Sequence, residues 1–239
     1  MKRTLRLYPE WWTVSLSALA WVWIVVQAWS PNGSHRHDHA AMLAQAQGAG
    51  LPFWIGLWHW FVMVAAMMLP FVTGTVHLTA ARSMWARRHR AIAGFLSGYL
   101  SLWSLAGAIA LVVLAGLQRS YRLSPALAGA AGFGMAALWQ VTRAKRRALV
   151  SCHRSVPLAP RGWRADGDCF RYGWTIGSSC LTNCWALMLA CALAGHSLPA
   201  MLCGGAVGFA ERSAPQLDNR TIFAAISVVA LTFALAGAG

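Results

Sequence analysis

The sequence predicts an all-α, polytopic transmembrane helical bundle of about seven spans, N-terminus cytoplasmic, as a single integral membrane domain over residues 1–239. Three observations carry that prediction. The chain is 58% hydrophobic and only 11% charged, whereas a soluble globular chain averages roughly 25% charged residues. Its apolar residues gather into runs of membrane-crossing length. Its basic residues fall between those runs, on alternating sides.

The first run, "WWTVSLSALAWVWIVVQAW", covers about 11–29. "MKRTLR" ahead of it resembles a signal peptide, but no small-residue cleavage site follows, so it reads as a retained first helix. The later spans lie at about 52–73, 92–117, 125–141, 174–195, 197–212 and 221–239. A helix needs about 20 residues to cross ~30 Å. The fourth and sixth spans are therefore the short ones, open to being tilted, kinked or partly re-entrant. "GFLSG" (Gly94, Gly98) and "GGAVG" (Gly204, Gly208) place small residues four apart, a spacing that permits close helix contact.

Seventeen of the twenty Lys and Arg residues fall at the N-terminus or after the second, fourth and sixth spans; the other side keeps Arg36, Arg119 and Arg122. This split puts the N-terminus inside a bacterial inner membrane and the C-terminus outside. The net charge of +14 is thus a matter of topology. It does not form the single basic face of a nucleic-acid binder, and no nucleic acid is expected as a partner. The partner surface is the lipid bilayer, with the eight basic residues after the fourth span set to meet anionic headgroups. Six acidic residues leave no carboxylate pair for acid–base work. No Ser-His-Asp arrangement, P-loop, Rossmann glycine set or HExxH is present, so the chain is not expected to be an enzyme. The six cysteines form no spaced disulfide framework.

Within the second span, "HWFVMVAAMMLP" spaces His59, Met63 and Met67 four apart, so they share one helix face, with Met68 beside it and Pro70 expected to kink the inner end. In the fifth span Cys180, Cys184 and Met188 form a second stripe at the same spacing. Counting from the estimated span ends pairs Met67 with Cys180, Met63 with Cys184, and His59 with Met188 in depth. Thiolate and thioether are soft ligands that select Cu(I) over Mg or Ca. One Cu(I) with one thiolate and neutral Met or His partners carries no net charge, which limits the penalty of burial in hydrocarbon. Zinc prefers four ligands, with more thiolate or imidazole than one depth supplies here. The alternative is packing, because methionine and buried cysteine both fill apolar cores. His59 is an ionisable group inside a span and so a functional candidate, although flanking Trp58 and Trp60 also suit an interfacial position.

Further candidate ligands lie outside the stripes. "SHRHDHAAM" places His35, His37 and His39, with Met42, in the outer loop. Alternating histidines can capture Cu(II), Ni or Zn, or simply belong to a solvated loop. Cys152, His153 and Cys169 share the long inner loop without a CxxC. His77 stands ready to cap the second helix or extend its stripe. Glu211 reads as a helix-end ion pair with Arg212, or as a hard ligand or proton carrier. Gln140 and Thr142 are placed to bond freed backbone groups.

"MVAAMMLP" (63–70), "WQVTRAKRRALVSCHR" (139–154), "GSSCLTNCWALM" (177–188) and Glu211 resemble a bacterial family of predicted metal-binding integral membrane proteins, some labelled copper chaperones. The resemblance spans about residues 52–212 and implies Met63, Met67, Met68, Cys152, Cys180, Cys184, Met188 and Glu211 as ligands. Two departures stand out. Ala148 occupies the place of a cysteine that usually precedes the one matching Cys152, and Asn183 replaces the first of a double cysteine. A site needing four thiols therefore cannot form. The reading that follows is an inner-membrane protein that binds Cu(I) and delivers it to a membrane or periplasmic protein. The alternative is a non-catalytic accessory or assembly subunit of a larger membrane complex that has lost its metal. A proton-coupled transporter is disfavoured by the few intramembrane charges and the absence of an inverted repeat, and a copper oxygenase, which usually presents several imidazoles together, by His59 alone lying within a span.

Overall fold

Apolar segments that leave water must close their backbone hydrogen bonds within themselves, and helices do so at every residue. The computed structural model describes residues 10–29, 51–121, 124–151, 159, 162–213 and 219–236. Among these, eight α-helices and one 3-10 turn occur, with no strand. The helices are α1 (Trp11–Trp29), α2 (Leu51–Arg82), α3 (Arg88–Tyr121), α4 (Pro125–Gln140), α5 (Arg143–Ser151), α6 (Trp163–Leu193), α7 (Leu198–Ser213) and α8 (Asn219–Ala236). Trp11–Trp29, Phe53–Arg82, Arg88–Leu117 and Trp163–Leu193 are long and apolar enough to cross a membrane, and Arg220–Leu235 is a shorter apolar helix. That is the architecture of a membrane protein. α4 and α7, at 16 residues each, rise only about 24 Å, which matches their short apolar runs.

Two boundaries differ from the sequence expectation. α2 continues past residue 73 to Arg82, and α6 begins at Trp163 rather than near 174. Most of the expected inner loop is thus helical, including the amphipathic α5, which buries Lys145 and Ala148 and exposes Arg146 and Arg147. Thr142 caps it: its hydroxyl donates to the Trp139 carbonyl (2.8 Å) and accepts from the Lys145 amide (3.2 Å). α4 starts on Ser124, whose side chain accepts from the Leu127 amide, followed by Pro125 in the first turn.

Pro70 lies inside α2. Proline has no amide hydrogen, so the carbonyl four residues earlier, on Ala66, loses its helical donor. Two side chains of α1 replace it: Ser17 Oγ and Trp21 Nε1 both donate to the Ala66 oxygen at 3.0 Å. α1 is thereby fastened antiparallel to α2, and Glu10 at its start reaches His77 (3.0 Å) near the end of α2. His77 therefore takes part in this inter-helix contact and not in the sulfur stripe.

α3 and α6 run parallel in close backbone contact. A Cβ on Gly98 would collide with the Phe170 carbonyl, and one on Gly173 with the Phe95 carbonyl. The small-residue spacing noted at Gly94 and Gly98 thus marks a true helix interface. At Gly204 on α7, a Cβ would stand 2.8 Å from Cys191 Sγ and 3.1 Å from Met67 Cε, so that glycine makes room for sulfur side chains. Large residues such as Met63, Phe95, Tyr99, Trp103, Phe133 and Met188 fill the centre, while Val22, Val26, Ile109, Val112, Val228 and Leu231 face outward. The helix order collects every Lys and Arg among the described side chains at one end of the bundle. Arg87 and Arg90 grip Asp166 there, joining the α2–α3 corner to the start of α6.

Candidate metal centre

α6 presents Cys180, Cys184 and Met188 on one buried face. The two cysteines are one helical turn apart on that face. The Tyr99 hydroxyl, brought from α3 by the glycine contact, donates to Cys180 Sγ at 3.2 Å. From α2, Met68 Sδ stands 3.9 Å from the same Cys180 sulfur. Asn183 Nδ2 donates to Cys184 Sγ at 3.4 Å, and its Oδ1 has no hydrogen-bond partner among the described residues.

On the basic side of the thiols lies a buried ion pair. Lys145 Nζ of α5 sits 2.9 Å from Glu211 Oε2 and 3.1 Å from Oε1, with the two side chains 3% and 4% exposed. Gln140 Nε2, from the end of α4, also donates to Glu211 Oε1. Glu211 is thus an ion-pair residue, with Lys145 rather than the adjacent Arg212 as its partner, and its carboxylate is already committed. Gln140 serves that carboxylate instead of a freed backbone group.

The sequence reading paired Met67 with Cys180 in depth, and the contact is made by the next residue. Met68, not Met67, meets Cys180. Met67 instead flanks Gly204 of α7 alongside Cys191. The rotation of α2 is set by α1, which holds the Ala66 carbonyl, and one residue of helix turns a side chain by about 100°. α3 and α7 each pack on both α2 and α6, and the long Met68 side chain reaches across to Cys180. Met63 and His59 lie nearer the other end of the bundle. The His59 Nδ1 pairs with the Ile55 carbonyl at 2.8 Å and its ring packs on Trp23 at 5.2 Å. Cys169 is buried near the start of α6, beside Gly94. His35, His37, His39, Cys152 and His153 fall outside the described residues.

Among the described residues no group of three or more His, Cys, Asp or Glu is arranged to hold a metal ion. The convergence is one of thiols with thioether, a softer set. Tyr99 and Lys145 are the residues sequence reasoning missed. Their only signals were a tyrosine within an apolar run and one lysine at the buried position of an otherwise arginine-rich helix.

A family model described as "PpoB2: Copper chaperone" matches residues 57–237. The chain belongs to this family. The match begins within α2, runs through α8 and leaves α1 outside. Both halves of the sulfur convergence, Met68 and the Cys180–Cys184 pair, lie within the family region. No curated protein and no solved structure matches the chain.

Proposed function

We propose that this protein binds Cu(I) between α2 and α6 in the bacterial inner membrane and passes it to a membrane or periplasmic protein. Copper is the cargo, moved by exchange between soft donors, and no bond-making catalysis is involved. The observation that carries this reading is the 3.9 Å separation of Met68 Sδ and Cys180 Sγ, with Cys184 one turn away. A metal–sulfur bond is about 2.3 Å long, so sulfurs around a trigonal ion stand about 4 Å apart. Cys180, Cys184 and Met68 suit such an ion with little rearrangement.

The surroundings support the same chemistry. A thiolate in a low-dielectric interior needs hydrogen bonds or a positive partner. Tyr99 can stabilise sulfur charge on Cys180, and Asn183 on Cys184. Asn183, where the resembling sequences have a cysteine, thus supports the remaining thiolate instead of adding another. Met188 and Met67 extend the sulfur lining above and beside the site. Glu211 balances Lys145 and is not needed as a ligand.

The test is copper analysis of protein purified in mild detergent under reducing, copper-replete conditions and washed with a Cu(I) chelator. The wild type retains tightly held copper, and Cys180→Ser/Cys184→Ser loses that fraction while keeping its elution profile. A wild type that emerges copper-free overturns the proposal.

A further inference from the structure

We infer a second Cu(I) site, built of imidazole and thioether, at the end of the bundle opposite the basic residues. A small cavity of about 20 Å³ there is lined by His59 and Met63 of α2, His196 and Met201 around the α6–α7 turn, and Gln27 and Trp23 of α1. That volume admits one water-sized occupant, since a water needs roughly 10–15 Å³. A bare ion fits within it.

The local backbone serves this cavity. α6 ends in a reversal in which Gly195 and His196 both adopt positive φ, 66° and 56°. The His196 amide closes that turn on the Cys191 carbonyl at 2.9 Å. A non-glycine residue in this region is strained, and such outliers gather where function holds them. Here the strained turn places an imidazole, 7% exposed, in an apolar setting beside Met201. On the facing wall, the His59 Nδ1 contact with the Ile55 carbonyl favours the tautomer whose lone pair is on Nε2. The Trp23 ring against His59 helps exclude water.

The donor set identifies the ion. Two imidazoles and two thioethers are neutral and on the soft side, which fits Cu(I) and its analogue Ag(I). A divalent ion would keep its full charge in an apolar wall. With no thiolate, a bound Cu(I) also keeps its single charge, so this site holds copper less tightly than the Cys180–Cys184 site. Met63 is one helical turn from Met67, which flanks Cys191 across Gly204, so sulfur atoms line part of the way between the cavity and the thiols, and the difference in affinity favours the thiols. The inference rests on the copper reading above.

The experiment titrates detergent-solubilised full-length protein with Cu(I) buffered by bicinchoninate. The wild type should take up two equivalents, one tight and one weaker. Cys180→Ser/Cys184→Ser should keep only the weaker one, with nitrogen and sulfur neighbours by X-ray absorption. His59→Phe/His196→Asn should keep only the tight one; asparagine tolerates the positive φ at 196. Met63→Leu/Met201→Leu, which conserves volume, should weaken the second equivalent without changing thermal stability. If the wild type binds one equivalent and the thiol-free variant none, the second site is overturned and the thiol site stands. A weaker equivalent that survives the histidine and methionine changes overturns the assignment to this cavity. No binding by the wild type overturns both proposals.

Discussion

The phenol of Tyr99 shows how one atom shapes the centre. Buried and donating to Cys180 Sγ at 3.2 Å, it orients that sulfur and can share its charge once a metal binds. Tyr99→Phe keeps the ring and removes only the donor. We expect the fold to persist and Cu(I) affinity to fall by about tenfold, in the range seen when outer hydrogen-bond partners of metal ligands are lost. Chelator competition measures it, and an unchanged affinity would make the hydroxyl a packing feature. The ligand types were legible in the sequence, because Met and Cys at four-residue spacing on apolar helices have few chemical uses. The facing residue was not. Met67 and Met68 are neighbours in sequence, and span ends estimated from hydropathy are too coarse to choose between them. His196 was illegible for another reason: its role depends on a positive φ that a Gly-His pair permits and does not require.

At the scale of elements, the continuation of α2 through Pro70 depends on α1. Ser17→Ala with Trp21→Phe would strand the Ala66 carbonyl, at a cost of about 1–3 kcal/mol for a buried unsatisfied acceptor. The expected readout is a lower melting temperature in detergent. Pro70→Ala in that background should restore much of it, because position 70 regains an amide to donate. Absence of that rescue would show that the two side chains stabilise by packing alone. A Pro-containing run reads as a helix that stops or kinks. The donors that allow it to continue are 49 and 45 residues away in the chain, beyond any local pattern. The α3–α6 contact was more legible, since glycines four apart in an apolar run announce a close approach. Gly173→Leu should prevent assembly of a stable bundle, visible as aggregation on solubilisation, whereas Gly116→Leu, where nothing stands within 4 Å of a new Cβ, should be tolerated.

For the molecule as a whole, composition and apolar runs were enough to read a helical membrane protein, and the family assignment agrees with the motifs at 63–70 and 177–188. The excess of Lys and Arg at one end predicts orientation. Applied to intact cells, a membrane-impermeant thiol reagent should label Trp54→Cys above the wild-type background and leave Arg146→Cys unlabelled; the reverse pattern would invert the protein. The family region, 57–237, begins after α1. Yet the carbonyl exposed by its own methionine-proline motif is satisfied from residues 17 and 21. A fragment cut to the family limits would therefore carry an unsolvated oxygen at the heart of its most characteristic helix. In this chain the leading helix is a structural cofactor of the motif, and excising it should damage the centre from a distance, without removing a single sulfur.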